Sequence, residues 1–456
     1  MKIHPLHSVL LFGLILLSSV AAAAQTGTPN LILAEKARDV EDWDTAITYF
    51  TKSIEAGEGK GNVMIAAVTY AHRCQAYFNK DKFDLAIADC DKAIEIKPDL
   101  GYVYHLRASS LRRTGKIERA IADFTHAIQL TPDSPHSYVG RAIAYSDNGN
   151  KDQAIVDYGK AIELDPNDAD TYFGRAMLFR QKGDFDQALT DFQAGLKLDP
   201  NVLEGHIGLG LCYQKKRDYD RALNSFNAAL KLYPRSTDAL LFRGVSYAEQ
   251  AEYDLAIRDY SEALRLNPGF VLAYPIRGDA YVKKGEYARA VADYSKRLEL
   301  EPSSTTLYAR GWANLYANDG RAAFADAQKY LELNGLKNSG PYAVLVGYLG
   351  LRKANRSAEA KAFVANSVKQ MDGDEWAGKI MLYLQGLLSA KQLLELSTDN
   401  DKLTESHAYI GIIELFDKDE ASARVHFTWV KEKGNKSFAE YNLALAELGR
   451  LPRTTQ

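Results

Sequence analysis

Seven prolines lie 34 residues apart, at Pro98, Pro132, Pro166, Pro200, Pro234, Pro268 and Pro302. A fixed period of that length marks a solenoid, in which one helix-turn-helix unit stacks on the next. Twelve residues before each proline stands an alanine: Ala86, Ala120, Ala154, Ala188, Ala222, Ala256 and Ala290. Four residues after each alanine comes Cys90, Phe124, Tyr158, Phe192, Phe226, Tyr260 or Tyr294. Twelve residues before each alanine is another small residue: Cys74, Ala108, Ala142, Ala176, Gly210, Gly244 or Gly278. Residues at i and i+4 share a helix face. Small residues on two neighbouring helices let the axes approach, and the aromatic fills the gap beside them. The proline ends the second helix, because its ring removes a donor and clashes with the preceding turn.

The stretch YFGRAMLFRQKGDFDQALTDFQAGLKLDP, Tyr172–Pro200, carries all of these features. On them the chain resembles the tetratricopeptide repeat (TPR) family. The units fall at 67–100, 101–134, 135–168, 169–202, 203–236, 237–270 and 271–304. The resemblance implies an all-α fold, a right-handed α-solenoid of about ten units with seven of them regular. Its helices are expected at repeat positions 2–14 and 17–30.

The ends are less regular. Ala34, Ala46 and Phe50 place an irregular first unit at 25–66, lengthened by the Gly-rich GEGKGN. An eighth unit follows one residue early, with Arg310, Gly311 and Ala323 in place and Gly335 where proline would stand. Residues 342–365 read as a decayed ninth, so 305–370 holds one near-regular and one degenerate unit. In 371–456, Asp372–Asp374 read as a turn, WAGKIMLYLQGLL as an apolar helix and STDNDK as a polar loop. Gly411, Ala423 and Phe427 then regain the pattern. A last helix with Phe438, Tyr441, Leu445 and Leu448 on one face is expected to cap the stack. This C-terminal part is similar to bacterial envelope TPR adaptors related to new lipoprotein I.

Residues 1–24 read as a secretory signal: Lys2, the apolar run Val9–Leu17, and Ala22-Ala23-Ala24 as the small-residue cleavage pattern. The alternative is an uncleaved anchor, but the run is short for a span. No cysteine follows it, so a lipid anchor has no support. No later segment has about 18 unbroken apolar residues, so the mature chain is expected to be soluble, without a stable membrane anchor.

The chain is 46% hydrophobic and 25% charged with a net charge of −3, and no basic stripe of a nucleic-acid reader is visible. No phosphate loop, nucleophile elbow, zincin helix, CxxC or HxxxH occurs, so no catalytic residue, cofactor or metal is expected. His72, His105, His136 and His206 sit at scattered repeat positions and read as packing or surface residues. Of the 27 tyrosines, 16 occupy repeat positions where the family packs its core, which argues against a carbohydrate-stacking surface.

Position 7 holds Arg73, Arg107, Arg141, Arg175, Arg243, Arg277 and, in the shifted unit, Arg310. Position 23 holds Asp89, Asp123, Asp157, Asp191, Asp259, Asp293 and Asp326. The fifth repeat lacks both, with Leu209 and Ser225. Joint presence and joint absence predict a ladder of Arg–Asp pairs bracing the helices. The family's ligand-facing positions include 5 and 9 of helix A. Here they read Val139 and Ile143, Phe173 and Met177, Ile207 and Leu211, Leu241 and Val245. This apolar stripe is the expected partner-binding groove, with Gly140, Gly174 and Gly208 leaving room beside it; the alternative is packing between helices. The Lys–Asn pair of chaperone-clamping TPRs and the asparagine ladder of glycosyltransferase-linked TPRs are absent.

Pro275, at position 5 of the seventh repeat, predicts a helix that starts late or bends. Cys74 and Cys90 stand at facing positions of one repeat and are either a disulfide or two reduced buried thiols, with Cys212 left free. Together these features describe a secreted, periplasmic scaffold that binds a peptide segment or partner protein in cell-envelope assembly or turnover. Two alternatives remain open: a self-associating structural protein whose stripe is buried in an oligomer, and an enzyme with an unrecognised site in 371–456.

Overall fold

The computed structural model describes residues 28–369 and 375–452. The expected signal segment and the Asp372–Asp374 turn lie outside them. The chain divides into two compact units, Met1–Asp218 and Tyr219–Gln456. The division falls within the fifth repeat, the one whose sequence lacks the Arg–Asp pair.

Unit one contains α1 (Pro29–Asp39), α2 (Trp43–Glu55), α3 (Val63–Asn79), α4 (Phe83–Ile96), α5 (Gly101–Arg113), α6 (Ile117–Leu130), α7 (Pro135–Asp147), α8 (Lys151–Leu164), α9 (Ala169–Lys182), α10 (Phe185–Leu198) and α11 (Leu203–Lys215). Unit two begins with α12 (Tyr219–Leu232), α13 (Thr237–Glu249), α14 (Tyr253–Leu266), α15 (Ala273–Lys283), α16 (Tyr287–Leu300), α17 (Ser304–Tyr316) and α18 (Gly320–Asn334). It continues with α19 (Gly340–Lys353), α20 (Ser357–Val368), α21 (Trp376–Leu384), α22 (Ala390–Leu396), α23 (Asn400–Phe416), α24 (Glu420–Lys433) and α25 (Ala439–Arg450). Among the described residues there is no strand, and consecutive helices pack as TPR pairs. None of these helices is long and apolar enough to cross a membrane.

Helix B of every regular repeat spans positions 17–30, as expected, while helix A begins at position 1 and usually ends at 13. The turn between them reverses the chain through a left-handed residue at position 15. Gly115, Gly149, Gly183 and Gly285 take it freely, but Asp81, Arg217 and Ala251 adopt the same positive φ without that freedom. In the seventh repeat α15 starts two residues late, at Ala273, which leaves Pro275 inside the first turn where no intrahelical donor is lost. The six extra residues before the first regular repeat form a turn through Gly57, Gly59 and Gly61, all at positive φ. Asn62 then caps α3 by accepting from the Met64 and Ile65 amides, adding a turn ahead of position 1.

The small residues meet the aromatics as the period requires. Ala86, Ala120, Ala154, Ala188, Ala222, Ala256 and Ala290 are fully buried. Gly244 and Gly278 hold the rings of Tyr260 and Tyr294 where a Cβ would clash. The apolar helix expected from WAGKIMLYLQGLL stops at Leu384, because Gly386 turns the chain at positive φ. The expected polar loop is shorter than STDNDK, since Asp399 caps α23 and starts it at Asn400.

Candidate functional site

The Arg–Asp ladder is present in every repeat that carries both residues. Arg73, Arg107, Arg141, Arg175, Arg243, Arg277 and Arg310 each grip the aspartate 16 residues later through Nε and Nη2, at 2.6–3.0 Å. The bidentate fork fixes helix A to helix B within one repeat. Nη1 then reaches back to the preceding unit: to Thr51, Asp91, Thr125, Asn227, Ser261 and Ser295. In the fourth repeat the preceding residue is Gly159, and Nη1 of Arg175 stands against its bare backbone. This stitch between repeats was not foreseen, although a small or polar residue recurs two places after the aspartate.

The apolar stripe is less open than its register suggests. Phe173 is only 2% exposed and Leu241 only 5%, so both are core residues and not groove residues. The cause for Phe173 is local: Gly195 and Gly205 lack the Cβ atoms that would occupy the space of its ring. Leu241 packs with Tyr260, Leu264 and Tyr274, and Val245 lies partly buried against the same cluster. Val139 and Ile143 pack partly buried against Ala142, Tyr158 and Leu178. Met177, Ile207 and Leu211 are half-buried. The room expected beside Gly140, Gly174 and Gly208 is filled from the preceding repeat, by Phe124, Tyr158 and Phe192. The stripe thus divides into a buried part, Phe173 and Leu241, and half-buried residues: Val245 in unit two and a rim made by Val139, Ile143, Met177, Ile207 and Leu211 in unit one. Arg180, one turn beyond Met177, has a buried Nε without a hydrogen-bond partner.

In unit two the same helix-A face is covered. Tyr308 and Trp312 hold positions 5 and 9 of the eighth unit, with Tyr316 one turn further. Helix α25 lies on them. The Tyr316 hydroxyl donates to the Ala439 carbonyl at 2.9 Å, and Arg450 donates to the Tyr316 carbonyl. Trp312, Leu315 and Tyr316 share a core with Leu443 and Ala444. Lys283 reaches the Lys436 carbonyl at 2.9 Å. The face of α25 expected to pack, Phe438, Tyr441, Leu445 and Leu448, is only half-buried. The buried face is Glu440, Leu443, Ala444 and Glu447, because the helix folds back on α17 as well as onto α23 and α24.

That face carries two acids inward. Glu447 pairs with the buried Lys353 amine at 2.5 Å. Glu440 meets no cation among the described residues: its Oε1 accepts from the Tyr409 hydroxyl at 2.9 Å. Beside it Glu405 accepts from Tyr342 at 3.3 Å through Oε1, and its Oε2 is buried without a partner. The Trp376 indole faces Glu405 but falls short of hydrogen-bond geometry. Burial first, and then the charge of Glu440, push the Glu405 carboxyl up to about 8. Burial raises Glu440 as well. The two acids titrate as a pair that retains a proton at neutral pH.

Cys74 and Cys90 are joined by a disulfide with a Cα separation of 5.6 Å, and Cys212 is a free buried thiol. His72 lies buried between Glu35, at 2.6 Å, and Arg38. His407 and His426 meet through Nδ1 at 2.7 Å, with Trp429 stacked on His407. Among the described residues no group of three His, Cys, Asp or Glu side chains is placed to hold a metal.

Models of the tetratricopeptide repeat match residues 67–100, 136–168 and 169–202, then 102–134 and 273–304, and 208–271. Together they span about half of the chain. The chain belongs to the tetratricopeptide repeat family. No curated protein matches it significantly. Among solved structures, it is 24% identical to YrrB, described as a TPR protein with an unusual peptide-binding site, over 40% of this chain and 95% of that one, with a TM-score of 0.37. It is 27% identical to MamA over 38% of this chain and 93% of that one, at a TM-score of 0.35. The C-terminal part of a TPR repeat-containing protein from Cytophaga hutchinsonii is 21% identical, over 51% of this chain and 96% of that one, at 0.45.

As a TPR protein the chain is a protein-interaction scaffold. The helix-A rim was legible in register; the aromatic face of α17 was missed, although Tyr308 and Trp312 stand at positions 5 and 9 of the eighth unit. The pair Glu405 and Glu440 was not legible. Its one signal was a pair of acids, Glu440 and Glu447, spaced to share a helix face with Leu443 and Ala444.

Proposed function

We propose that this protein is an exported scaffold that holds a segment of a partner protein on its helix-A face, in cell-envelope assembly or turnover. The observation that carries the reading is α25 itself. It lies on Tyr308 and Trp312, at the ligand-facing positions of the eighth unit, and on Tyr316 one turn further, where a helix is accommodated by aromatic and hydrogen-bond contacts. The rim of Val139, Ile143, Met177, Ile207 and Leu211 offers the equivalent half-buried face in unit one. Export is supported by the pattern at Lys2, Val9–Leu17 and Ala22–Ala24 and by the Cys74–Cys90 disulfide, which fits an oxidising compartment. The envelope role is supported by the likeness of the C-terminal part to envelope TPR adaptors.

A photo-crosslinking residue placed at Ile207 or Met177 in the producing cell tests this. One dominant partner is expected from both positions, in the exported fraction, and none from Leu198 at the exposed end of α10. Equal capture at Leu198, or retention of the protein in the cytoplasm, contradicts the reading.

A further inference from the structure

Helix α25 is a poor chemical match for the place it occupies. The socket is assembled from four other elements: Tyr308 and Trp312 on α17, Tyr342 on α19, Trp376 on α21, and Glu405 and Tyr409 on α23. Glu405 is 4% exposed, and one of its two oxygens has no hydrogen-bond partner. Trp312 is 3% exposed, and its indole nitrogen is likewise without one. Into this acid and ring-lined space α25 inserts Glu440, itself 3% exposed. The charged groups nearest the pair are Asp401 on α23 and Lys402, whose amine lies 5.7 Å from the centre of the Trp376 ring without reaching either acid; the remaining neighbours are tyrosines and Trp376. Among the described residues no lysine or arginine pairs with either carboxylate. Two buried acids without a cation cannot both ionise cheaply, so the present occupant is held less tightly once the pair loses its proton. A basic side chain at the same point would pair with an ionised Glu405 and lie among aromatic rings, whose faces attract cations.

We propose that the socket of Glu405, Tyr308, Trp312, Tyr342 and Trp376 is a binding site for a lysine or arginine carried on a helical partner segment, with α25 as its displaceable resident occupant. This rests on the reading of the helix-A face as a segment-binding surface. The rest of α25 specifies the remainder of the match. An apolar and a small residue three and four places after the basic one would take the positions of Leu443 and Ala444. A glutamate seven places after it would meet Lys353, as Glu447 does. α25 meets every element of this pattern except the first, which makes it a weak competitor tethered at high effective concentration.

The experiment uses the full chain at pH 8. In Glu440→Lys, amide exchange across Ala439–Arg450 should slow about tenfold relative to wild type, and should be slower than in Glu440→Gln, which removes the repulsion but adds no cation. Exchange in Glu440→Lys as fast as in Glu440→Gln, or faster, overturns the proposal without touching the segment-binding reading. The second arm uses a labelled Ser437–Leu451 peptide in which lysine replaces Glu440. It should bind wild type about tenfold more tightly than the native-sequence peptide, speed exchange in α25, and lose that advantage in Glu405→Gln. Equal affinity of the two peptides, or an advantage that survives Glu405→Gln, overturns the charge preference. Binding by neither peptide overturns the displaceable occupant. Crosslinking from Ile207 and Met177 separately decides whether the helix-A face binds segments at all.

Discussion

In the sixth repeat the Arg243 guanidinium meets Asp259 through hydrogen bonds of 2.7 and 2.8 Å, and its third nitrogen reaches Asn227. In the C-terminal segment Glu405 and Glu440 are as deeply buried, yet among the described residues tyrosine hydroxyls are their only side-chain hydrogen-bond donors. The regular repeats bury acids with matched cations at a fixed spacing, so each aspartate stays satisfied and the geometry of every unit is the same. The C-terminal segment buries acids where α25 folds back on α17, and no periodic partner exists for them. A satisfied pair holds geometry; an unsatisfied one leaves a conformation that another occupant can replace.

The largest expected effect concerns the interior of the regular repeats. Phe173→Ala should cost about 3–5 kcal/mol, because the ring fills the space left by Gly195 and Gly205. Denaturant unfolding checks it. A cost near zero, with partner capture lost, would return Phe173 to the groove and break the contrast between a filled repeat interior and a displaceable C-terminal helix.

The disulfide comes next. Its loop spans a sequence separation of 16, for which loop closure is worth about 3 kcal/mol in the chain-entropy picture. Cys74→Ala with Cys90→Ala should lower the unfolding midpoint under oxidising conditions and leave it unchanged relative to reduced wild type. Thiol titration of the denatured, unreduced protein should find one free thiol, that of Cys212; three would contradict the bridge.

A smaller effect should sharpen the picture of the repeats. Ala251 takes the left-handed turn position at φ 62° that glycine holds in four other repeats. Ala251→Gly should stabilise the chain by up to about 1 kcal/mol, since the backbone strain removed exceeds the entropy added to the unfolded state. A loss of stability would show that this turn is unstrained.

How much of this was legible follows from where the chain is periodic. The helix-B boundaries and the Arg–Asp pairing follow from the 34-residue period, because each repeat meets the same neighbours; helix A begins one residue earlier than expected, and the late start at Pro275 follows from the proline itself. The reach of Arg Nη1 to the preceding repeat was missed, since the residues it meets differ in type: Thr51, Asp91, Asn227, Ser261. The groove was misjudged at Phe173 and Leu241 because register gives the direction of a side chain and not the space around it. Glycines on neighbouring turns, Gly195 and Gly205, decided that space. The docking of α25 was read as a cap with its wrong face inward. Phe438, Tyr441, Leu445 and Leu448 are the more apolar set, but long-range contacts with α17 and α19 selected the face with Glu440 and Glu447.

The contrast in buried charge is tested most directly by removing one charge from each region and following stability with pH. In the folded chain Glu405 is pushed up to about 8, against about 4.3 unfolded, so the folded state binds the proton more tightly. The stability that this proton contributes is complete below pH 4 and is lost as pH rises toward 8, by at most about 1.4 kcal/mol per unit. Hydrogen exchange of α25 measured from pH 5 to 9, corrected for intrinsic rates, should therefore show protection falling with pH in wild type. Protection should be higher at pH 8 in Glu440→Gln and should fall less steeply with pH, since burial alone still raises Glu405. In Asp259→Asn the sixth repeat should lose protection at every pH. Wild-type protection of α25 that is constant or rises with pH, or a loss of protection in Glu440→Gln like that in Asp259→Asn, would contradict it.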